Sequence, residues 1–179
     1  MPRIICRFIG RALVICLALI AAALPARLSA HDVPDEIVVT GFVKPATDRT
    51  DVLLRLPLAL LADMDLPKTG PGYLDWPRLP PFLRLAGVAA ARAIALHDGE
   101  RALAAMVAAT RIALPSDRAF VGYDAAHAAI RGPALPASEL VYHNQGFFDV
   151  HLVYPAAADL VLRVNLAPAL GGRLHLACA

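Results

Sequence analysis

The stretch FFDVHLVYP, Phe147 to Pro155, decides what kind of protein this chain folds into. Its residues alternate with a period of two: Phe148, Val150, Leu152 and Tyr154 point one way from an extended backbone, while Phe147, Asp149, His151 and Val153 point the other. That pattern predicts a β-strand with two distinct faces, one apolar and one carrying a carboxylate and an imidazole.

Working outward, EIVVTGFVKP (Glu36 to Pro45) and DVLLRLPL (Asp51 to Leu58) are rich in β-branched and apolar residues, and the polar ATDRT lies between them. They predict two strands of a hairpin or meander. LPKTGPGYLDWPRLPP is dense in Gly and Pro and reads as a loop. The paired Pro80 and Pro81 suit a first helical turn, and Phe82, Leu85, Ala89 and Ala93 recur at helical spacing, predicting a helix from about Pro81 to Arg92. Asp98-Gly99 sits between short apolar runs as the dipeptide favoured by a type I′ hairpin turn, with MVAATRIAL as the following strand. In RAFVGYDAAHAAIRG, Phe120, Tyr123, His127 and Ile130 share one helical stripe; Asp117 is the candidate N-cap and Gly132-Pro133 the stop. DLVLRVNLAP and RLHLA supply two more short strands. The class expected is α+β: a predominantly antiparallel, β-sandwich-like domain with two helical insertions, following an N-terminal signal helix.

The signal helix is read from residues 1–30. Arg3, Arg7 and Arg11 precede the apolar run Ala12 to Leu24, which falls short of the roughly 20 residues a bilayer span needs. Pro25 ends it, and Ser29 and Ala30 are small residues before a cleavage site at Ala30–His31. Neither Cys6 nor Cys16 follows a small residue, so lipid anchoring is not expected. An uncleaved membrane-anchored form is the alternative. The domain plan is therefore a signal peptide over 1–30 and one periplasmic or secreted β-rich domain over 31–179, a length that suits a single domain.

Cleavage changes the charge argument. The whole chain carries +2, but residues 1–30 hold four arginines and no acid, so the mature domain carries −2. Without basic clusters it has no electrostatic footprint for nucleic acid. Of the three cysteines only Cys178 remains, so no internal disulfide can form. The chain is 58% hydrophobic, above the usual ~45–50%, largely through alanine.

The six histidines are the residues that bear on a site. His143 and His151 would lie about 26 Å apart in one straight strand, or about 13 Å apart if NQG turns the chain and sets His143 beside Phe147; neither geometry makes a ligand pair. His97 stands at a hairpin mouth, and His127 reads as a partly buried residue of its helix. His31 is the candidate metal ligand: as a first residue it offers an α-amine and Nδ1, with Asp32, Asp35 or Glu36 nearest, a donor set suited to nickel, copper or zinc. Asp149 and His151 lie on one strand face within hydrogen-bonding reach of each other, resembling two thirds of a hydrolytic triad. No P-loop, G-x-S-x-G elbow, H-E-x-x-H or C-x-x-C motif occurs, and no serine has a nucleophile's context.

In order, AHDVPDEIVVTGFVKP, GPGYLD, LPSDRAF and FFDVHLVYP resemble the exported N-terminal region of a subgroup of HupE/UreJ-like membrane proteins, over roughly residues 30–176. The resemblance implies a signal sequence, an exported domain and a transmembrane bundle in a family associated with nickel or cobalt uptake. This sequence reaches Ala179 with GGRLHLACA and no such bundle, so it reads as a truncated member, incomplete at its C-terminus, and the bundle's metal-handling residues are not carried over. The expected function is that of a non-enzymatic periplasmic domain acting through an integral membrane partner or a ligand. A small metal-binding protein using His31 is the second expectation and a hydrolase the third.

Overall fold

The computed structural model describes residues 38–165 and 173–179. The predicted signal helix, the cleavage site and His31 lie outside the described residues. Those described belong to one compact unit, Asp35–Ala179, with a mixed α+β fold.

The strand read from FFDVHLVYP organises it. A five-stranded sheet runs in the order β10-β1-β2-β8-β7, with β1 at Val38–Pro45, β2 at Arg49–Pro57, β7 at Met106–Ala113, β8 at Phe147–Pro155 and β10 at Arg173–Cys178. The first two strands form the predicted hairpin, with Gly41 opposite Leu54. β8 then pairs antiparallel with β2 and with β7. β10 joins the outer edge of β1 in parallel, the one parallel pairing among the described strands.

Two smaller sheets complete the set. β3 (Lys68–Thr69) and β4 (Tyr73–Leu74) make a short ribbon within the Gly/Pro-rich loop, and β5 (Ile94–Asp98) lies between β6 (Arg101–Ala102) and β9 (Leu160–Val164). The β5–β6 turn differs from expectation. Asp98 pairs with Arg101, so the two loop residues are Gly99 and Glu100. Only Gly99 takes positive φ, +56°, whereas a type I′ turn needs it at both positions.

The apolar face of β8 builds the main core: Phe148, Val150, Leu152 and Tyr154 pack with Val39, Val52, Leu54, Ile94 and Leu96. The Tyr154 hydroxyl donates to the Ile94 carbonyl at 3.1 Å, tying β8 to β5. Helix α1 (Pro80–Ala93) covers this face, but on a different stripe from the one expected. Leu85 is 59% exposed, and the buried residues are Ala86, Gly87 and Ala90. Small side chains let the helix backbone approach β7 closely; a Cβ on Gly87 would stand 2.8 Å from Val107 Cγ1.

Helix α2 (Tyr123–Arg131) covers the other face. Asp117 does not cap it. Its Oδ1 accepts the Ala119 N–H at 2.8 Å, at the start of a separate 3-10 turn at Ala119–Val121, and α2 begins after Gly122 in extended conformation. The expected stripe does face the sheet: Ile130 and Ala126 are buried with Leu53, against Phe42, Phe120 and Tyr123.

Candidate functional site

Strand register lays the polar face of the large sheet out in rows. In one row Arg55, Asp149 and Arg111 stand side by side on β2, β8 and β7; two residues along each strand, the next row holds Leu53, His151 and Ala109. Asp51 is two residues beyond Leu53, so it shares this face and lies diagonally beside His151.

The first row is an ion network. Arg55 grips Asp149 with two hydrogen bonds, Nε to Oδ1 at 2.7 Å and Nη2 to Oδ2 at 2.8 Å, and Arg111 reaches the same Oδ2 at 3.0 Å. Asp117 completes it, accepting from Arg55 at 2.9 Å and Arg111 at 2.8 Å. The Arg55 guanidinium is flanked by the rings of Phe120 and Phe147, 4.4 and 4.8 Å from their centroids. Two arginines and two aspartates balance in charge, and every Asp149 oxygen is occupied. This cluster fixes three strands and the loop before α2; it leaves no carboxylate oxygen of Asp149 for His151.

An Asp149–His151 pair is therefore absent. His151 bonds through Nε2 to Asp51 Oδ1 at 2.7 Å, and Asp51 Oδ2 accepts from Arg49 Nε at 3.0 Å. Burial alone would raise the Asp51 carboxyl, but the bonds from His151 and Arg49 outweigh it and hold it below its ordinary value. Burial pushes His151 below 6.5, with His127 and Arg131 acting the same way against the opposing pull of Asp51. The pair thus consists of an ionised carboxylate accepting from the Nε2–H of a neutral imidazole, which leaves Nδ1 as a bare acceptor. His151 is 2% exposed, and among the described residues its Nδ1 has no hydrogen-bond partner.

Above this pair α2 brings a second imidazole. The His127 ring lies edge-on to His151 with centroids 5.0 Å apart, and it stacks on Tyr123 at 5.8 Å. Lys44 Nζ caps the Tyr123 ring at 4.3 Å. Arg49, Asp51, His127, Arg131 and His151 border a cleft of about 430 Å³, with Met106 and Val153 as apolar wall.

The other histidines stand apart from it. His143 does not pair with Phe147: its backbone N–H and its Nδ1 both meet the Gly72 carbonyl, at 3.0 and 3.1 Å, because Tyr142 bridges to Tyr73. His97 lies by the β5–β6 turn, and His175 is exposed on β10. Among the described residues no three His, Cys, Asp or Glu side chains converge as a metal site, and no helix is long and apolar enough to cross a membrane.

Sequence reasoning placed His127 on the correct helical stripe and His151 on the correct strand face but did not bring them together. The signal was present in TDVLLRL, where Asp51 and Arg55 bracket Leu53 at period two; the β2–β8 register converts it into contacts. No family model, curated protein or solved structure matches the chain.

Proposed function

We propose that this chain is a non-enzymatic exported domain that works by binding, holding a small polar ligand in the cleft over the Asp51–His151 pair. The buried, unpartnered Nδ1 of His151 carries this reading. Such an atom costs about 1–3 kcal/mol when nothing bonds to it, a cost that a ligand in the cleft removes. None of the residues bordering the cleft is a serine, threonine or cysteine, which favours binding over nucleophilic hydrolysis.

In this reading the domain is related to the exported part of HupE/UreJ-like membrane proteins, lies in the periplasm or outside the cell after loss of residues 1–30, and serves an integral membrane partner. The ordered sequence blocks support that relationship. α1 and the β5 sheet together act as a second layer over the apolar face, giving the fold its sandwich-like character. A second reading, nickel, copper or zinc held at His31, is favoured by the amine and imidazole that cleavage after Ala30 would expose.

Thermal unfolding measured against a panel of small acids, amines, sugars and divalent metal ions tests the binding role. At least one class should raise the Tm of the chain but not that of His151→Gln, since a ligand stabilises only the state that binds it. A panel without any such difference contradicts the reading.

A further inference from the structure

Resting on the reading that the cleft takes a ligand, we propose that it binds a small oxyanion, a carboxylate or phosphate group, held by Arg131, His127 and the Nδ1 edge of His151. Three observations select an anion over a cation. The only carboxylate bordering the cleft, Asp51, already has one oxygen on His151 and the other on Arg49. Arg131 is exposed at the end of α2, and among the described residues it has no carboxylate within ion-pair distance. Arg49 adds a second guanidinium at the rim, the group whose fork fits carboxylate and phosphate oxygens. The His127 ring, half-buried on α2, packs against the His151 ring with centroids 5.0 Å apart, and both residues border the cleft.

Binding takes up a proton. An anion oxygen that carries no hydrogen, such as a carboxylate oxygen, cannot bond to a bare Nδ1 lone pair, so for such an anion a proton from solvent adds to Nδ1, the imidazolium keeps its Nε2–H on Asp51, and the new Nδ1–H donates to the anion. Each element against His151 presents a group that sets this balance. β2 contributes Asp51, which favours the proton, and Arg49; α2 contributes His127, Arg131 and Tyr123; β1 contributes Lys44 beside Tyr123; and β7 presents uncharged Ala109 opposite. The free cleft disfavours the proton because His151 is buried, with Arg131 acting the same way. A bound anion offsets these effects, so affinity rises as pH falls from neutrality.

Calorimetry with inorganic phosphate and with malonate, each in two buffers of different ionisation enthalpy, tests this. At least one anion should bind with net proton uptake, and more tightly at lower pH. Gln at position 151 can keep the bond to Asp51 but has no counterpart of Nδ1; His151→Gln should abolish the uptake and weaken binding about tenfold. Arg131→Gln, at an exposed site, should weaken binding with uptake retained, and serves if His151→Gln does not fold. Malonate binding without uptake, binding indifferent to both substitutions, or binding of neither anion overturns the assignment. If zinc or nickel binds instead and is lost in His151→Gln, the anion is wrong while the cleft remains a ligand site; if neither anions nor metal ions disturb His127 and His151 but an amine or sugar of the wider panel does, the anion assignment alone fails, and if nothing in that panel does, both readings fail.

Discussion

Asp51 and His151 meet at 2.7 Å across the β2–β8 pair, although 100 residues separate them in sequence. They are diagonal neighbours: His151 stands opposite Leu53, and Asp51 opposite Val153. The carboxylate fixes which imidazole nitrogen carries the proton and so which is left bare.

This pair gives stability a pH dependence. His151 titrates below 6.5 in the folded chain, so between its folded value and 6.5 the unfolded chain binds more protons than the folded one. Stability then rises with pH through that window, is complete above it, and is lost as pH falls from 6.5 towards the folded value. Urea unfolding at stepped pH should show this slope, and His151→Gln should flatten it. A slope of equal size in the variant would assign the effect to other groups.

Buried Asp149 holds a buried contact with Arg55 and a part-buried one with Arg111, and removing its charge leaves both arginines without their central partner. Asp149→Asn should cost about 3–5 kcal/mol in denaturant unfolding, the range for breaking a buried ion pair from one side. A loss below about 1 kcal/mol, typical of exposed pairs, would mean the network is open to water.

The closeness of α1 to β7 depends on Gly87, whose added Cβ would crowd Val107. Gly87→Leu should destabilise by about 1–3 kcal/mol through overpacking, whereas Leu85→Ala, at an exposed position, should stay within about 0.5 kcal/mol. Equal effects would place the helix on the stripe containing Leu85 and Ala89.

For the exported chain, intact mass should show His31 as the first residue. Nickel or copper binding by that form should disappear when one alanine is added before His31. Binding that survives the extension would move the metal away from the terminus.

Much of this fold is legible locally. β1, β2, β7 and β8 follow from alternation and β-branched content, and both helices from their periodicity. What periodicity could not set was rotation and register. Alanine fills α1 so evenly that Leu85 looked more inward than Gly87, yet close packing on β7 favours the smaller side. Asp149 and His151 share a strand face, and their spacing alone suggested a pair. Each instead satisfies its charge or hydrogen bond with a neighbour on another strand, Arg55 and Asp51, which only the β2–β8 pairing reveals. His127 looked like an ordinary helix residue because its contact with His151 is long-range.

His151 borders the cleft with a buried, bare Nδ1, and nitrogen NMR of its ring is the decisive measurement. At neutral pH without ligand, the ring should be a neutral imidazole protonated at Nε2, with Nδ1 resonating as an unprotonated, weakly bonded nitrogen. A ring protonated at Nδ1, or already an imidazolium under those conditions, would contradict it.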